Sequence, residues 1–164
     1  MGAGILPIAF RKGKIYFLFG REYINATENN KVWKDAGKWS DFGGSKEQNE
    51  TFAETAIREG YEELSGILGN KSKVRGLVYN AIKEINTKNY KTYICLVNYD
   101  SSLPEKFRNN FLKIKKHKPH LLCKNGLYEK DMIKWFSYKE KKKNSNIFRS
   151  WYYKQLITKI LKQF

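Results

Sequence analysis

Apolar residues along the chain fall into short runs separated by polar punctuation, and the period of each run predicts an element. Gly4 to Phe10 and Lys14 to Phe19 read as two strands joined by a turn around Lys12-Gly13. Glu22 to Lys38 is polar and asparagine-rich, a loop with one short extended piece at Val32-Trp33. Strand character returns at Lys38 to Phe42. Val74 to Ile85 reads as one or two strands, and Tyr90 to Tyr99 is a run of β-branched and aromatic residues. Pro104 to Lys116 predicts a helix with proline near its first turn. Met132 to Tyr138 predicts a last strand. Phe148, Tyr152, Leu156 and Ile160 recur every fourth residue, so the C-terminus reads as a helix with one packed face.

The helical signal is clearest after residue 50. Thr51-Phe52-Ala53-Glu54 is a capping box, in which hydroxyl and carboxylate cap the helix start reciprocally. Ala53, Ile57, Gly60 and Leu64 form a stripe suited to a core, and Ser65-Gly66 offers a left-handed end. Glu59, Glu62 and Glu63 stand at i, i+3 and i+4 and project together from another face. Three like charges so close disfavour the bare helix. A hard divalent cation reverses that penalty, because carboxylate oxygens are the ligands Mg²⁺ or Mn²⁺ prefers. The bland alternative is a solvated acidic face.

Charge sharpens the picture. The chain carries 32 Lys and Arg against 16 Asp and Glu, a formal +16 with a pI near 9.7. Seven of the acids (Asp41, Glu47, Glu50, Glu54, Glu59, Glu62, Glu63) lie between residues 41 and 63 with only Lys46 and Arg58 for company. That window is therefore −5 and the remainder +21. A cation site in a basic protein is placed to receive an anionic substrate. Trp39-Ser40-Asp41-Phe42-Gly43-Gly44 leads into the window, and its paired glycines allow close backbone approach to a metal or phosphate.

Five residues separate Gly44 from Glu50, and seven separate Glu50 from Arg58, which opens Arg58-Glu59-Gly60-Tyr61-Glu62-Glu63. This pattern resembles the Nudix box, G-x5-E-x7-R-E-U-x-E-E-x-G-U with U bulky and aliphatic, here at residues 44–67. Gly60 stands where an aliphatic residue belongs, which costs intrinsic helix stability of up to ~1 kcal/mol. The closing glycine, Gly66, arrives one residue late. The resemblance implies an α/β chain, an α/β/α sandwich with a mixed central sheet, as one domain over residues 1–164. It implies a diphosphate hydrolase using Mg²⁺ or Mn²⁺, with Glu59, Glu62 and Glu63 as ligands and the Gly43 carbonyl completing the shell. Gly44, Glu50 and Arg58 would support the box, a bidentate guanidinium being better suited than lysine to holding Glu50. Glu129, in Gly126-Leu127-Tyr128-Glu129-Lys130, resembles the second-half glutamate that serves as general base or extra ligand; otherwise Glu63 or another box carboxylate is the base. Arg21 corresponds to a phosphate-contacting arginine near the second strand.

The layout is similar to Nudix proteins of large DNA viruses, some of which decap mRNA. Capped RNA is accordingly the leading substrate. A diphosphoinositol polyphosphate, a dinucleoside polyphosphate or a nucleoside triphosphate also satisfies the box, and a non-catalytic RNA-binding module is the alternative of another class. Trp33, Trp39, Tyr23 and Phe107 are candidate base-stacking aromatics. His117 and His120 lie in a lysine-rich segment that suits polyanions rather than metal, and Lys141-Lys142-Lys143 reads as a solvated loop. Cys95 and Cys123 are too few for a disulfide scaffold or a four-ligand zinc site, which points to a reducing compartment. No apolar run approaches the ~20 residues of a membrane span. Leu6 stands where the myristoylation motif needs Ser or Thr. An intracellular, cytoplasmic protein, viral by its layout and without an obligate protein partner, is the expectation.

Overall fold

A computed structural model describes residues 1–124, 126–143 and 145–164, with the side chains of 141–143 and 161 outside the description. Strand β1 (Gly2–Arg11) is the axis of a seven-stranded mixed sheet. It turns through Lys12 and Gly13, both at positive φ, into antiparallel β2 (Lys14–Glu22). On its other edge it pairs in parallel with β8 (Tyr90–Leu96), which continues antiparallel to β7 (Lys83–Asn86). Strand β9 (Lys130–Ser137) runs antiparallel to β2, which also pairs with the two residues of β5 (Trp39–Ser40).

The edge of β1 facing β2 is shared. Residues Gly2 to Ile5 pair with β6 (Phe42–Ser45), whereas Ile8 to Arg11 pair with β2. Pro7, which has no N–H to donate, falls at the changeover. Alternation along β1 then sends Ala3, Ile5 and Ala9 to one face and Leu6 and Ile8 to the other. The first face is covered by α1 (Phe52–Glu63), α2 (Lys71–Tyr79) and α3 (Leu103–His117). A C-terminal helical run covers the second: α5 (Ser150–Tyr152), a π turn (Tyr153–Ile157) and α6 (Thr158–Leu161), preceded in the chain by the short α4 (Tyr138–Lys143). The result is the α/β/α sandwich with a mixed sheet.

Phe148, Tyr152, Leu156 and Ile160 are all buried against the sheet. A four-residue repeat drifts by ~40° per step on a 3.6-residue helix, and the wider π turn absorbs that drift.

Three expectations need correction. The first half of Val74 to Ile85 is helix α2 rather than strand. Asn70 caps it, accepting the Lys73 N–H at 3.0 Å, and Val74 and Val78 bury one helical face at i and i+4. Packing there overrides the β preference of valine. The loop from Glu22 to Lys38 contains a hairpin, β3 (Thr27–Glu28) and β4 (Lys31–Val32), turned by Asn29 and Asn30 at positive φ, which asparagine tolerates better than most residues. Lys141-Lys142-Lys143 belongs to α4 and not to a loop, its side chains lying outside the described residues.

Candidate functional site

Helix α1 begins with the Thr51 capping box: the Thr51 hydroxyl oxygen accepts the Glu54 N–H, and the Glu54 carboxylate accepts the Thr51 N–H. Ile57 and Leu64 are buried, and Ser65 and Gly66 end the helix at positive φ. The aliphatic position filled by Gly60 is not empty. A Cβ there would lie 2.8 Å from Ile5 Cδ1 and 2.9 Å from its Cγ1, so the Ile5 side chain occupies the space. What the helix loses in propensity it recovers as close approach to β1.

With one face fixed on the sheet, the opposite side of α1 opens into a cleft of about 700 Å³. Gly43 and Gly44 of β6 line it, together with Glu59, Glu62 and Glu63 of α1 and Glu129 from the loop before β9. A Cβ at position 44 would run into the Glu59 carboxylate, so glycine there leaves that carboxylate its place. The three box glutamates and Glu129 thus share one solvent-open space.

Arg58 braces the arrangement. Its Nε and Nη2 donate to Glu50 at 2.7 and 3.0 Å, Nη2 also reaches the Ser45 carbonyl at 3.0 Å, and Nη1 donates to Glu59 at 2.9 Å and Glu62 at 3.3 Å. One guanidinium therefore joins the glycine strand to three carboxylates. Its hydrogen bonds hold the Glu50 carboxyl down to about 2. Glu63, almost fully buried, accepts the Gly43 N–H at 2.7 Å and faces Lys130 Nζ at 3.3 Å. Lys130 is itself wholly buried and donates to Glu22 and, at 2.9 Å, to Ser40 Oγ. Burial works against its charge, but Glu22 and Glu63 outweigh it and raise its proton affinity.

Three of the cleft carboxylates resist ionisation. Burial pushes Glu59, Glu63 and Glu129 above the usual carboxylate range, and the neighbouring glutamates add to it. Arg58 opposes the rise at Glu59, and Lys130 opposes it at Glu63 and Glu129. Such a donor set suits a hard divalent ion, which relieves both the burial and the mutual repulsion. Among the described residues no group of three or more His, Cys, Asp or Glu side chains is drawn close enough together to hold a metal ion as they stand. Arg58 and Lys130 hold the carboxylates instead.

Other sequence candidates separate. Arg21 lies outside the cleft lining: its Nε and Nη2 form a bidentate pair with buried Asp131 at 2.8 and 3.0 Å. Asp41, counted in the acidic window, is buried away from the cleft against Thr92 and Tyr90, and its carboxyl is pushed up to about 6 by that burial. Trp39 and Phe107 are core residues. Tyr23 packs at a tilt against Phe111 beneath Lys115, whereas Trp33 lines the cleft. His117 and His120 are exposed.

Reading the sequence missed Glu22, Lys130 and Arg149. Arg149 lines the cleft from the segment before α5, donating to Asp35 at 3.1 Å and to Glu22 at 3.3 Å. A basic residue next to the strongly periodic C-terminal helix was the one local clue to it. Lys130 adjoins Glu129 but carries no pattern that announces burial.

No family model matches the chain. An uncharacterised protein, L534, of Acanthamoeba polyphaga mimivirus is 45% identical over 64 residues, which is 38% of this chain and 19% of the relative. The fold is similar over 99% of this chain to a Nudix hydrolase from M. smegmatis (TM-score 0.53, 12% identity, 86% of that structure). It is also similar to an Ap4A hydrolase from C. elegans (TM-score 0.51, 14% identity, all of both chains). A third solved relative is a bifunctional NMN adenylyltransferase/ADP-ribose pyrophosphatase from Francisella tularensis, complexed with AMP and a Mn ion. There the TM-score is 0.53 at 20% identity, over 98% of this chain and 41% of that one. The chain has the Nudix hydrolase fold.

Proposed function

We propose that this protein is a divalent-metal-dependent pyrophosphohydrolase that cleaves the diphosphate linkage of a nucleoside-diphosphate-linked substrate. The observation that carries this reading is the gathering of Glu59, Glu62, Glu63 and Glu129 around one open cleft floored by Gly43 and Gly44. Glu59, Glu62 and Glu63, with the Gly43 carbonyl, would hold Mg²⁺ or Mn²⁺. The bound ion supplies charge neutralisation of the diphosphate and a more acidic attacking water. Arg58, locked on Glu50, keeps the glycine strand and the box glutamates in register. The Gly43 N–H and Lys130 hold Glu63 in place for its role as a ligand. Glu129, which lines the same cleft and whose proton affinity is raised by burial, is the general base in this reading. Arg149, with an Nη2 that makes no hydrogen bond among the described residues, replaces Arg21 as the phosphate-contacting arginine.

The 5′ cap of RNA is the leading substrate. A net +21 outside the acidic window favours a polyanion through counterion release. Helix α3 places Lys113, Lys115, Lys116 and His117 at the end that carries Phe111, which packs against Tyr23; the Tyr23 N–H in turn donates to the Glu129 carbonyl. The AMP and Mn of the Francisella relative and the Ap4A activity of the C. elegans one support a nucleotide and a divalent ion. Small polyphosphates, including dinucleoside and inositol polyphosphates, are the competing substrates. One observation favours a non-catalytic RNA-binding module: Arg58, not a ligand cage, joins Glu59 and Glu62. A panel of capped RNA, nucleotides and inositol pyrophosphates with Mg²⁺ and Mn²⁺, run on wild type and Glu62→Gln, decides. Release of a capped nucleoside diphosphate, lost in the variant, is the expected result. Hydrolysis of small molecules alone removes the RNA claim, and RNA binding without hydrolysis establishes the module.

A further inference from the structure

The cleft does not end at the box. A second, smaller hollow of about 270 Å³ adjoins it, sharing Gly43, Gly44, Ser45 and Arg149 and adding Asn89, Tyr90 and Trp151. At that size it falls below the ~300–1,000 Å³ of a complete ligand site, so it is an annex to the first. Arg149 stands on the boundary. Its guanidinium lies 5.0 Å from the ring centre of Trp33, which lines the main cleft, and 5.5 Å from that of Trp151, which lines the annex.

We propose that the two compartments take the two ends of a bipartite substrate: two flat heterocycles joined by an oligophosphate, with Arg149 at the bridge, Trp33 beside one ring and Trp151 beside the other. The physical case has three parts. Asp35 and Glu22 pin Arg149 through Nε and Nη1, so its remaining Nη2 donors are pre-oriented for an anion. An indole in each compartment offers a stacking surface that tolerates any base. The exposed Asn89 provides an amide at the annex rim for a ring edge. A nucleoside triphosphate fills only the first compartment, and an inositol pyrophosphate has no ring for either indole.

This inference rests on the diphosphate-hydrolase reading of the cleft, and its test separates the two. Binding is measured by titration calorimetry with Mg²⁺ on the Glu62→Gln protein, which keeps both compartments, using a dinucleoside tetraphosphate and a nucleoside triphosphate as probes. The dinucleotide is expected to bind about tenfold tighter, the worth of one additional stacked base. Adding Trp151→Leu should abolish that ratio, and Trp151→Phe, which retains a ring, should preserve most of it. Melting curves of each variant confirm folding. Equal binding of the two probes, or a ratio that survives Trp151→Leu, overturns the bipartite site even if wild type hydrolyses both. Conversely, a wild type that hydrolyses no diphosphate with either metal ends the hydrolase reading, whatever the binding ratio.

Discussion

Gly60 sits between the Arg58-Glu59 and Glu62-Glu63 pairs, and its substitution tests how tightly the candidate site is tied to the core. Replacing glycine with alanine inside a helix ordinarily stabilises it by ~1 kcal/mol. Here the new Cβ would meet Ile5 Cδ1 at 2.8 Å and Cγ1 at 2.9 Å, and Ile5 has no exposed surface into which to retreat. Overpacking of this kind costs ~1–3 kcal/mol. Gly60→Ala is therefore expected to destabilise the protein by roughly 1 kcal/mol net. In an Ile5→Ala background, itself costing ~2–5 kcal/mol, both close atoms are gone. Gly60→Ala should then stabilise by ~1 kcal/mol, giving a coupling of about 2 kcal/mol. Equilibrium urea unfolding of the four proteins measures this cycle, provided the denaturant slopes agree. A gain of ~1 kcal/mol in both backgrounds would refute the claim that Ile5 fills the aliphatic position of the box.

Two further predictions concern charge. Lys130→Met leaves Glu63 buried without its cation and Glu22 with Arg149 alone, and should cost ~3–5 kcal/mol, seen as a large drop in the unfolding midpoint; a wild-type midpoint would mean the Lys130 pairs are dispensable. Glu50 is held near 2, below its usual value of 4.5, so its contribution to folding is complete above pH 4.5 and disappears as pH falls through about 2. The melting temperature of wild type over Glu50→Gln should accordingly show an advantage at pH 6 that shrinks towards pH 2.5, and a constant difference would contradict the pairing with Arg58.

The parts of the molecule readable from sequence are those where the determining contacts are local. Helix α1 announces itself through a capping box, a four-residue apolar stripe and a left-handed end, all within sixteen residues of chain from Thr51 to Gly66. Spacing likewise places Glu59, Glu62 and Glu63 on one face, because three and four residues are one helical turn. Helix α2 was misread because its valines have β preference, while Asn70, which caps it, resembles any loop asparagine. Arg21 illustrates a different limit. Its partner Asp131 is 110 residues away, and that pair takes the arginine out of the cleft. Arg149 and Glu22, joined across 127 residues, were invisible for the same reason.

The charge inside the cleft explains why an acidic site persists in so basic a chain. Six glutamates line it (Glu22, Glu47, Glu59, Glu62, Glu63, Glu129), and Lys46, Arg58 and Arg149 line it with them. Lys130 adds one more cation from below, through Glu22 and Glu63. With every group ionised the formal balance is −2, although +16 is the balance of the whole chain. The protein thus supplies enough positive charge to keep these carboxylates folded together, but not enough to neutralise them. That residue of negative charge is what a divalent ion would cancel, and only a cleft so neutralised would admit a diphosphate. In the proposed reading, the net positive charge of the chain then favours the approach of an anionic substrate.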